Sequence, residues 1–387
     1  MDPGPVSAHE VVIVGGGLEG MSIAAALTRR GVRDVLVLER RTIGSGGTGK
    51  SSGIVRCHYG VPLLAAMAWE GVRFFEDTPG LGFRRTGYVV GVGPENEAAL
   101  RANVAAQSIL GVEVSLIGHD AVHAMWPGLE TKDFAAFAYE PRGGHGDAYR
   151  TCQHFAEAAR RGGARILQHT PVAALVTGGD RVIGVRLADG RRVGAGTVVV
   201  AAGAWSTALV SPAGVDLPVR AIREPIVIAD PGRALGDVPV FSDLVSLQYV
   251  RTEPDGRLLI GNSDLTDPEP ADPDRYLNRA DGPHLERAAS RFGSRFPGLP
   301  DVSFVTSYAG CYDVTPDFNP IIGPAGPDGL FVAAGFSGHG FKISPAVGRM
   351  AAEMITGAAL PDFRLSRFAE GRPLTSAHPY AGAGEMR

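Results

Sequence analysis

The sequence predicts an α/β protein in which a Rossmann-like parallel-sheet domain is interrupted by an inserted antiparallel-sheet (α+β) domain. Three observations carry this expectation. Glu10 to Arg40 reads as strand, glycine turn, helix and strand, with Gly15-x-Gly17-x-x-Gly20 at the first turn and Glu39 closing the second strand. Two further apolar runs end in small residues far along the chain, TVVVAAGAW (197–205) and LFVAAGFSGHGF (330–341). Between the fingerprint and the last of these runs lie short strand-like runs joined by turn dipeptides such as Gly179-Asp180, Asp189-Gly190 and Asp255-Gly256.

The first unit can be justified residue by residue. Val11 to Val14 is a buried parallel strand, and Leu18 to Arg30 has helical patterning. Gly15 permits the tight turn, Gly17 admits a pyrophosphate to the backbone, and Gly20 lets helix and strand pack closely. The pyrophosphate would sit on the helix N-terminus, at Leu18 and Glu19, where unpaired N–H groups and the dipole favour negative charge. Glu39, beside Arg40, would accept hydrogen bonds from a ribose diol and disfavours a 2′-phosphate. The fingerprint specifies an ADP-containing dinucleotide and does not separate NAD from FAD.

TIGSGGTGKSSGIVRCHYG (42–60) follows. Ser45, Gly49, Ser51 and Ser52 are small enough to wrap a cofactor, although a flexible surface loop would share that composition. Arg56 follows the apolar pair Ile54-Val55, so it reads as a buried Arg that needs an anionic partner. His58 and Tyr59 come next and could line the same pocket.

Pro62 to Phe75 reads as an amphipathic helix. The expected nucleotide domain spans 9–79, 140–218 and 320–370, the inserted domain 80–139 and 219–319, and the tails 1–8 and 371–387. Within the insertion, Gly87 to Val92 and Phe134 to Tyr139 read as strands flanking a helix over Glu95 to Leu110. Pro141 to His145 reads as a loop and Tyr149 to Arg161 as a helix. Strands are then expected at Ala164 to Leu167, Thr170 to Val176 (with Val172 facing a cofactor), Arg181 to Ala188 and Arg191 to Val193. Ala202, Gly203 and Trp205 close the next strand and could touch a nucleotide. A helix is expected around Pro283 to Phe296, and another N-capped by Ser344 with Pro345 at its first position.

With 387 residues the chain has room for two or three domains. A net charge of −4 with no Lys/Arg run offers no field for nucleic acid or anionic lipid. Cys57, Cys152 and Cys311 are too few and too scattered for a disulfide framework or a zinc site. With no secretory pattern at the N-terminus and no apolar membrane span, a cytoplasmic protein is expected. The Ala/Gly/Arg-rich composition suits a GC-rich bacterium.

The nucleotide fingerprint, TVVVAAGAW, and CYDVTPDFNPIIG followed by LFVAAGFSGHGFKISPAVG together resemble the amino-acid and amine oxidase superfamily of FAD enzymes, over about Val11 to Gly357. Within it the chain is similar to sarcosine oxidases, the β-subunits of multi-subunit sarcosine oxidases and dimethylglycine dehydrogenases. The resemblance implies FAD, with Gly310, Gly338, His339, Gly340, Phe341 and Lys342 among its contacts. It implies that Arg56, in an Ile-Ile-Arg-like setting, and Lys342 hold a substrate carboxylate; His58, and Tyr249 from the hairpin, could line that site or simply pack in the core. Glycine and D-amino acid oxidases carry an arginine where this chain has Tyr312. The cysteine that binds flavin covalently in monomeric sarcosine oxidases falls on Gly310, one residue before Cys311, which implies non-covalent FAD. Their O₂-activating lysine falls on Leu259.

The expected activity is hydride transfer from the C–N carbon of a small carboxylated amine, secondary or N-methylated, to the flavin. The electron acceptor is O₂ or an electron-transfer partner, and partner subunits or a homo-oligomer remain open. A component inactive on its own, or a tailoring oxidase for an unusual amino acid, are the alternatives. An NAD-linked dehydrogenase is disfavoured, because nothing in the sequence receives a nicotinamide.

Overall fold

A computed structural model describes residues 8–359 and 362–382. The chain forms two compact units, each assembled from separate segments. Unit 1 takes Met1–Ser51, Asp147–Ile222 and Cys311–Leu374; unit 2 takes Ser52–Gly146, Arg223–Gly310 and Thr375–Arg387.

Unit 1 is built on a sheet in the order Ile321–Pro324, Leu330–Ala334, Arg192–Val200, Ala8–Val14, Val35–Leu38, Arg165–Leu167. Ala8–Val14 runs parallel to both of its neighbours; Ile321–Pro324 pairs antiparallel at one edge, and Arg181–Leu187 and Val172–Gly178 join the sheet antiparallel, off this path, through Arg192–Val200. Val35–Leu38 is buried along its whole length, as is Leu330–Ala334. Continuous apolar runs suit a parallel sheet covered on both faces. The expected short strand at Arg191 to Val193 and the run from Thr197 are one strand, Arg192–Val200. Its first residues pair with Arg181–Leu187 and its later ones with Ala8–Val14, so Gly194 and Gly196 do not break it.

Helix Leu18–Arg29 packs beside Ala148–Arg161 and Gly340–Ile355. Asp147 caps the second of these, accepting the Arg150 N–H at 2.9 Å. The third starts earlier than the sequence suggests: its cap is His339, and Ser344 and Pro345 lie inside it. Proline at 345 removes the N–H that would bond to the Phe341 carbonyl. The Ser344 hydroxyl donates to that carbonyl instead, at 2.9 Å, so the helix continues through the proline.

Unit 2 holds a second sheet, in the order Ser303–Val314, Arg220–Asp230, Leu258–Asn262, Gln248–Thr252, Val240–Asp243, Tyr88–Val92, Ala136–Glu140, Ser115–Ile117. Gln248–Thr252 and Leu258–Asn262 form the expected hairpin, turned at Gly256 with φ +88°. One side of the sheet packs on helix Gly282–Arg295 through Phe241, Val250, Phe292 and Phe296. The opposite side gathers Tyr88, Val90, Ile226, Tyr249 and Leu259.

Several boundaries differ from expectation, and 219–222 and 311–319, expected with the insertion, belong to unit 1. Segments 52–79 and 140–146, expected with the nucleotide domain, pack in unit 2. Ile54–Val55 pairs antiparallel with Gly144–His145, in what reads from sequence as a loop, and helix Pro62–Asp77 follows directly. Residues 375–382, expected as part of a tail, fold onto unit 2, where Tyr380 is buried. Likewise Ala8 begins the first strand and 371–374 belong to unit 1. The remainder of the expected tails, 1–7 and 383–387, lies outside the described residues.

Candidate active site

The glycine fingerprint has the geometry its spacing implies. Gly15 adopts φ +116°, and a Cβ there would lie 2.3 Å from the Ala201 carbonyl oxygen. A Cβ on Gly20 would lie 2.1 Å from the Gly15 oxygen. Gly17 caps helix Leu18–Arg29, whose first N–H, on Leu18, donates to the Thr48 hydroxyl at 2.9 Å. Glu39 accepts N–H groups from Gly16 and Arg41, both at 2.7 Å, which fixes its carboxylate beside the turn.

The loop after Glu39 stays in unit 1 as far as Ser51. The Gly44 N–H donates to the Gly16 carbonyl at 2.9 Å, and a Cβ on Gly49 would meet the Gly44 oxygen at 2.9 Å. Ser45 is exposed. Arg40 lays its guanidinium 4.1 Å from the Trp205 ring centroid. Ala202 leads into the short helical turn Gly203–Trp205, where Gly203 has φ +52° and the indole Nε1 of Trp205 is buried without a hydrogen-bond partner. Val172 is half-buried at the start of its strand.

Gly338 (φ +83°), His339, Gly340, Phe341 and Lys342 form the turn into helix Gly340–Ile355. His339, Phe341 and Lys342 are buried, and the Lys342 ammonium reaches the Gly338 carbonyl at 3.5 Å. A Cβ on Gly340 would lie 2.7 Å from Glu19 Oε1, so the start of this helix rests against the start of the first. The other oxygen of Glu19 is buried and unpartnered; burial, reinforced by the charge of Asp313, raises this carboxyl well above its ordinary range. Burial also pushes Asp313 up to about 6, although it accepts the Gly335 N–H at 2.7 Å. Asp317 serves structure: it takes both hydrogen bonds of the Arg367 fork, at 2.9 Å each, and the Leu374 N–H.

Unit 2 brings together Arg56 and His58, and Tyr249 lies on strand Gln248–Thr252 of its eight-stranded sheet. Arg56 is 3% exposed. Its guanidinium lies 4.3 Å from the Tyr59 ring centroid and 5.8 Å from that of Tyr88, and it donates to the His58 carbonyl. His58 is buried, with Nε2 2.6 Å from the Tyr380 hydroxyl. Burial, then the Arg56 charge, lowers its pKa to about 3. Gln107 lies nearby without hydrogen-bond geometry to Nδ1. His58 is therefore neutral at physiological pH and not poised to exchange protons.

Tyr249 is buried with its ring across Gly261, where a Cβ would lie 2.0 Å from the ring. Leu259 is fully buried in the same core. Ser52 lies in unit 2, where its carbonyl accepts from Arg251 at 2.6 Å. Gly310 is also a residue of unit 2, within strand Ser303–Val314, and directly precedes Cys311.

Sequence reasoning overlooked Glu140. It is buried, its Oε2 accepts the Cys57 N–H at 2.7 Å, and its Oε1 has no partner. Burial pushes its pKa up to about 7, opposed by backbone N–H groups and by the Arg56 charge. A single Glu in AYEPRGG carries no signal of this. Tyr380 was overlooked because its surroundings read as a tail.

Side-chain-free glycines at a helix N-terminus, a carboxylate held at the end of the second strand and an orphaned indole N–H fit a dinucleotide along unit 1. These are the parts of a flavin-dependent oxidoreductase. The chain belongs to the FAD dependent oxidoreductase (DAO) family, whose model matches residues 10–354, and FAD is its cofactor.

Among similar proteins, the 4-methylaminobutanoate oxidase (formaldehyde-forming) of Paenarthrobacter nicotinovorans is 31% identical over 367 residues, covering 91% of this chain and 44% of that protein. The sarcosine oxidase subunit beta of Rhodobacter capsulatus is 26% identical over 384 residues, covering 96% and 91%. This chain thus spans less than half of the first relative and nearly all of the second. The crystal structure of L-proline dehydrogenase from P. horikoshii superposes with a TM-score of 0.87 at 28% identity, covering 95% of this chain and 99% of that one. Glycine oxidase from Geobacillus kaustophilus, at TM-score 0.78 and 24% identity, shares the fold. Among the described residues no helix is long and apolar enough to cross a membrane, and no cluster of acids, His and Cys could hold a metal.

Proposed function

We propose that this protein oxidises the C–N bond of a small carboxylated amine, secondary or N-methylated, to an imine that water then hydrolyses. The observation that carries this reading is Arg56. A guanidinium at 3% exposure is costly to bury, and an anion arriving beside it offsets that cost. A substrate carboxylate suits the planar fork of Arg56, flanked by two tyrosine rings.

Non-covalently held FAD supplies the hydride acceptor when bound. The residues that would hold it are the Gly15–Gly20 turn, Glu39, the Ala202–Trp205 turn and the Gly338–Lys342 loop. The N-terminus of helix Gly340–Ile355 favours negative charge, and Lys342, in its first turn, adds a cation. In this reading Arg56 serves the substrate carboxylate, and Tyr249 and the neutral His58, in the same unit, shape its surroundings. The sarcosine oxidase subunit and 4-methylaminobutanoate oxidase among the relatives act, by their names, on N-methylated carboxylates, which supports the substrate class.

An acceptor other than O₂, and partner subunits, form a second reading. It is favoured by Leu259, an apolar core residue where resemblance to monomeric oxidases leads one to look for a lysine, and by the subunit named among the relatives.

The test is the Arg56→Gln holoprotein. Its half-saturation for a carboxylated amine such as sarcosine is expected to rise at least about 100-fold, consistent with loss of a charge-assisted bidentate contact. FAD content should stay unchanged. Equal affinity in wild type and variant would refute the assignment.

A further inference from the structure

The C-terminal segment of unit 2 ends in a side chain that the proposed function does not use. Residues 375–382 follow the last element of unit 1 and fold back onto unit 2. The segment is fixed at both ends: the Asn103 amide donates to the His378 carbonyl at 3.0 Å, and Asn96 exchanges two hydrogen bonds with the Ala381 backbone, at 2.7 and 3.1 Å. Between them Tyr380 enters the apolar core that also holds Tyr88 and Tyr249. Its ring stacks on His58 with centroids 5.9 Å apart, and its hydroxyl meets His58 Nε2 at 2.6 Å.

That hydrogen bond is the well-formed polar contact of the His58 ring; the Gln107 side chain lies close to the ring, but Nδ1 is buried with no hydrogen bond of good geometry among the described residues. The peptide of His58 is in turn the acceptor for the Arg56 guanidinium. One short chain of contacts therefore runs from the Tyr380 hydroxyl, through the His58 ring and its own carbonyl, to Arg56. Around it Gln107 Oε1 and Glu140 Oε1 are likewise buried and unpartnered. The ring thus depends on its outer member for its position.

We propose that Tyr380 is a positioning residue which, by fixing His58, sets the Arg56 guanidinium for the carboxylate of the substrate. The inference rests on the reading that Arg56 binds that carboxylate. Removing the hydroxyl leaves both nitrogens of a buried imidazole unpartnered, a state that drives the ring to move. The carbonyl that orients Arg56 moves with it, and the guanidinium loses its preset geometry. The C-terminal segment would thus be part of the binding machinery without touching substrate.

The experiment uses the full-length holoprotein and reads perturbation of the bound FAD spectrum during anaerobic titration with sarcosine and other carboxylated amines, and with the same amines lacking the carboxylate. Tyr380→Phe keeps the ring and removes the hydroxyl. Its dissociation constant for the carboxylated ligands is expected to rise about tenfold, in line with loss of one buried hydrogen bond. Binding of the carboxylate-free analogues and the rate of flavin reduction at saturation should change less than about twofold. His58→Leu should produce the same selective loss, and the double variant no more than either single one, because all three break the same chain.

A lower melting temperature with unchanged affinity would make Tyr380 a packing residue and overturn the proposal, as would additive losses in the double variant. If Tyr380→Phe does not fold, His58→Leu alone decides by the same ligand selectivity. A wild-type protein that does not discriminate carboxylated from carboxylate-free amines would instead overturn the assignment of Arg56, a result distinct from failure of the variants.

Discussion

At the scale of single residues, the region around Arg56 is a problem of buried charge. One permanent cation, a neutral histidine and a carboxyl near its titration point lie in the same interior. Glu140 gives the clearest pH signature. Its folded pKa of about 7 stands above its ordinary 4.5, so folding favours the protonated form. Its contribution to stability is complete below pH 4.5 and is lost as pH rises through 7. Glu140→Gln keeps an acceptor for the Cys57 N–H and cannot ionise. Relative to wild type, the variant should therefore gain stability between about pH 5 and about pH 8, by up to about 3 kcal/mol, because raising a pKa tenfold in proton affinity is worth about 1.4 kcal/mol. Chemical denaturation at both pH values measures it. A difference independent of pH would mean that the carboxyl is already ionised at the lower pH. None of this was legible in the sequence, because burial of a lone Glu or Tyr is decided by strands distant along the chain.

At the scale of elements, legibility followed periodicity and turn chemistry. The strand, glycine turn, helix and second strand of Ala8–Leu38 came through because every local preference there agrees with the fold. Helix Gly340–Ile355 was misjudged at its start because Ser344-Pro345 is a strong local start signal. It is overridden by a hydroxyl that takes over the carbonyl proline leaves unpaired, and by the close contact of Gly348 with Ser22. The fingerprint turn yields a sharp expectation. At Gly15 a methyl group would strain a backbone at φ +116° and strike the Ala201 carbonyl, which belongs to the neighbouring strand's end and cannot easily retreat. Gly15→Ala should destabilise unit 1 by about 1–3 kcal/mol and lower the FAD-to-protein ratio of the purified protein. Melting temperature and the absorbance ratio check the two effects separately. Full flavin content with wild-type stability would contradict the role given to this turn.

At the scale of the whole molecule, the two classes of sheet were readable, since continuous apolar runs and alternating runs with turn dipeptides are different patterns. The course of the chain between the two units was harder. Short strands such as Ile54–Val55 and Gly144–His145 carry too little pattern to reveal their partner, yet their pairing draws 52–79 into unit 2. The same limit hid the return of 375–382. The candidate site was legible where it depends on backbone shape, as at the glycines, and where a charged residue follows an apolar pair, as at the buried Arg56. It was not legible where it depends on what surrounds a side chain.

The central claim is that this FAD-dependent oxidoreductase takes electrons from a small carboxylated amine. The most direct measurement is the anaerobic absorption spectrum of the FAD-loaded protein, titrated with sarcosine, dimethylglycine, L-proline and glycine and then exposed to air. Bleaching of the flavin band by the secondary or N-methylated members of the set is the expected result, and the rate of recovery in air then distinguishes O₂ from another acceptor. A flavin band that none of these amines bleaches, with carboxylate-free amines reducing it instead, would contradict the claim.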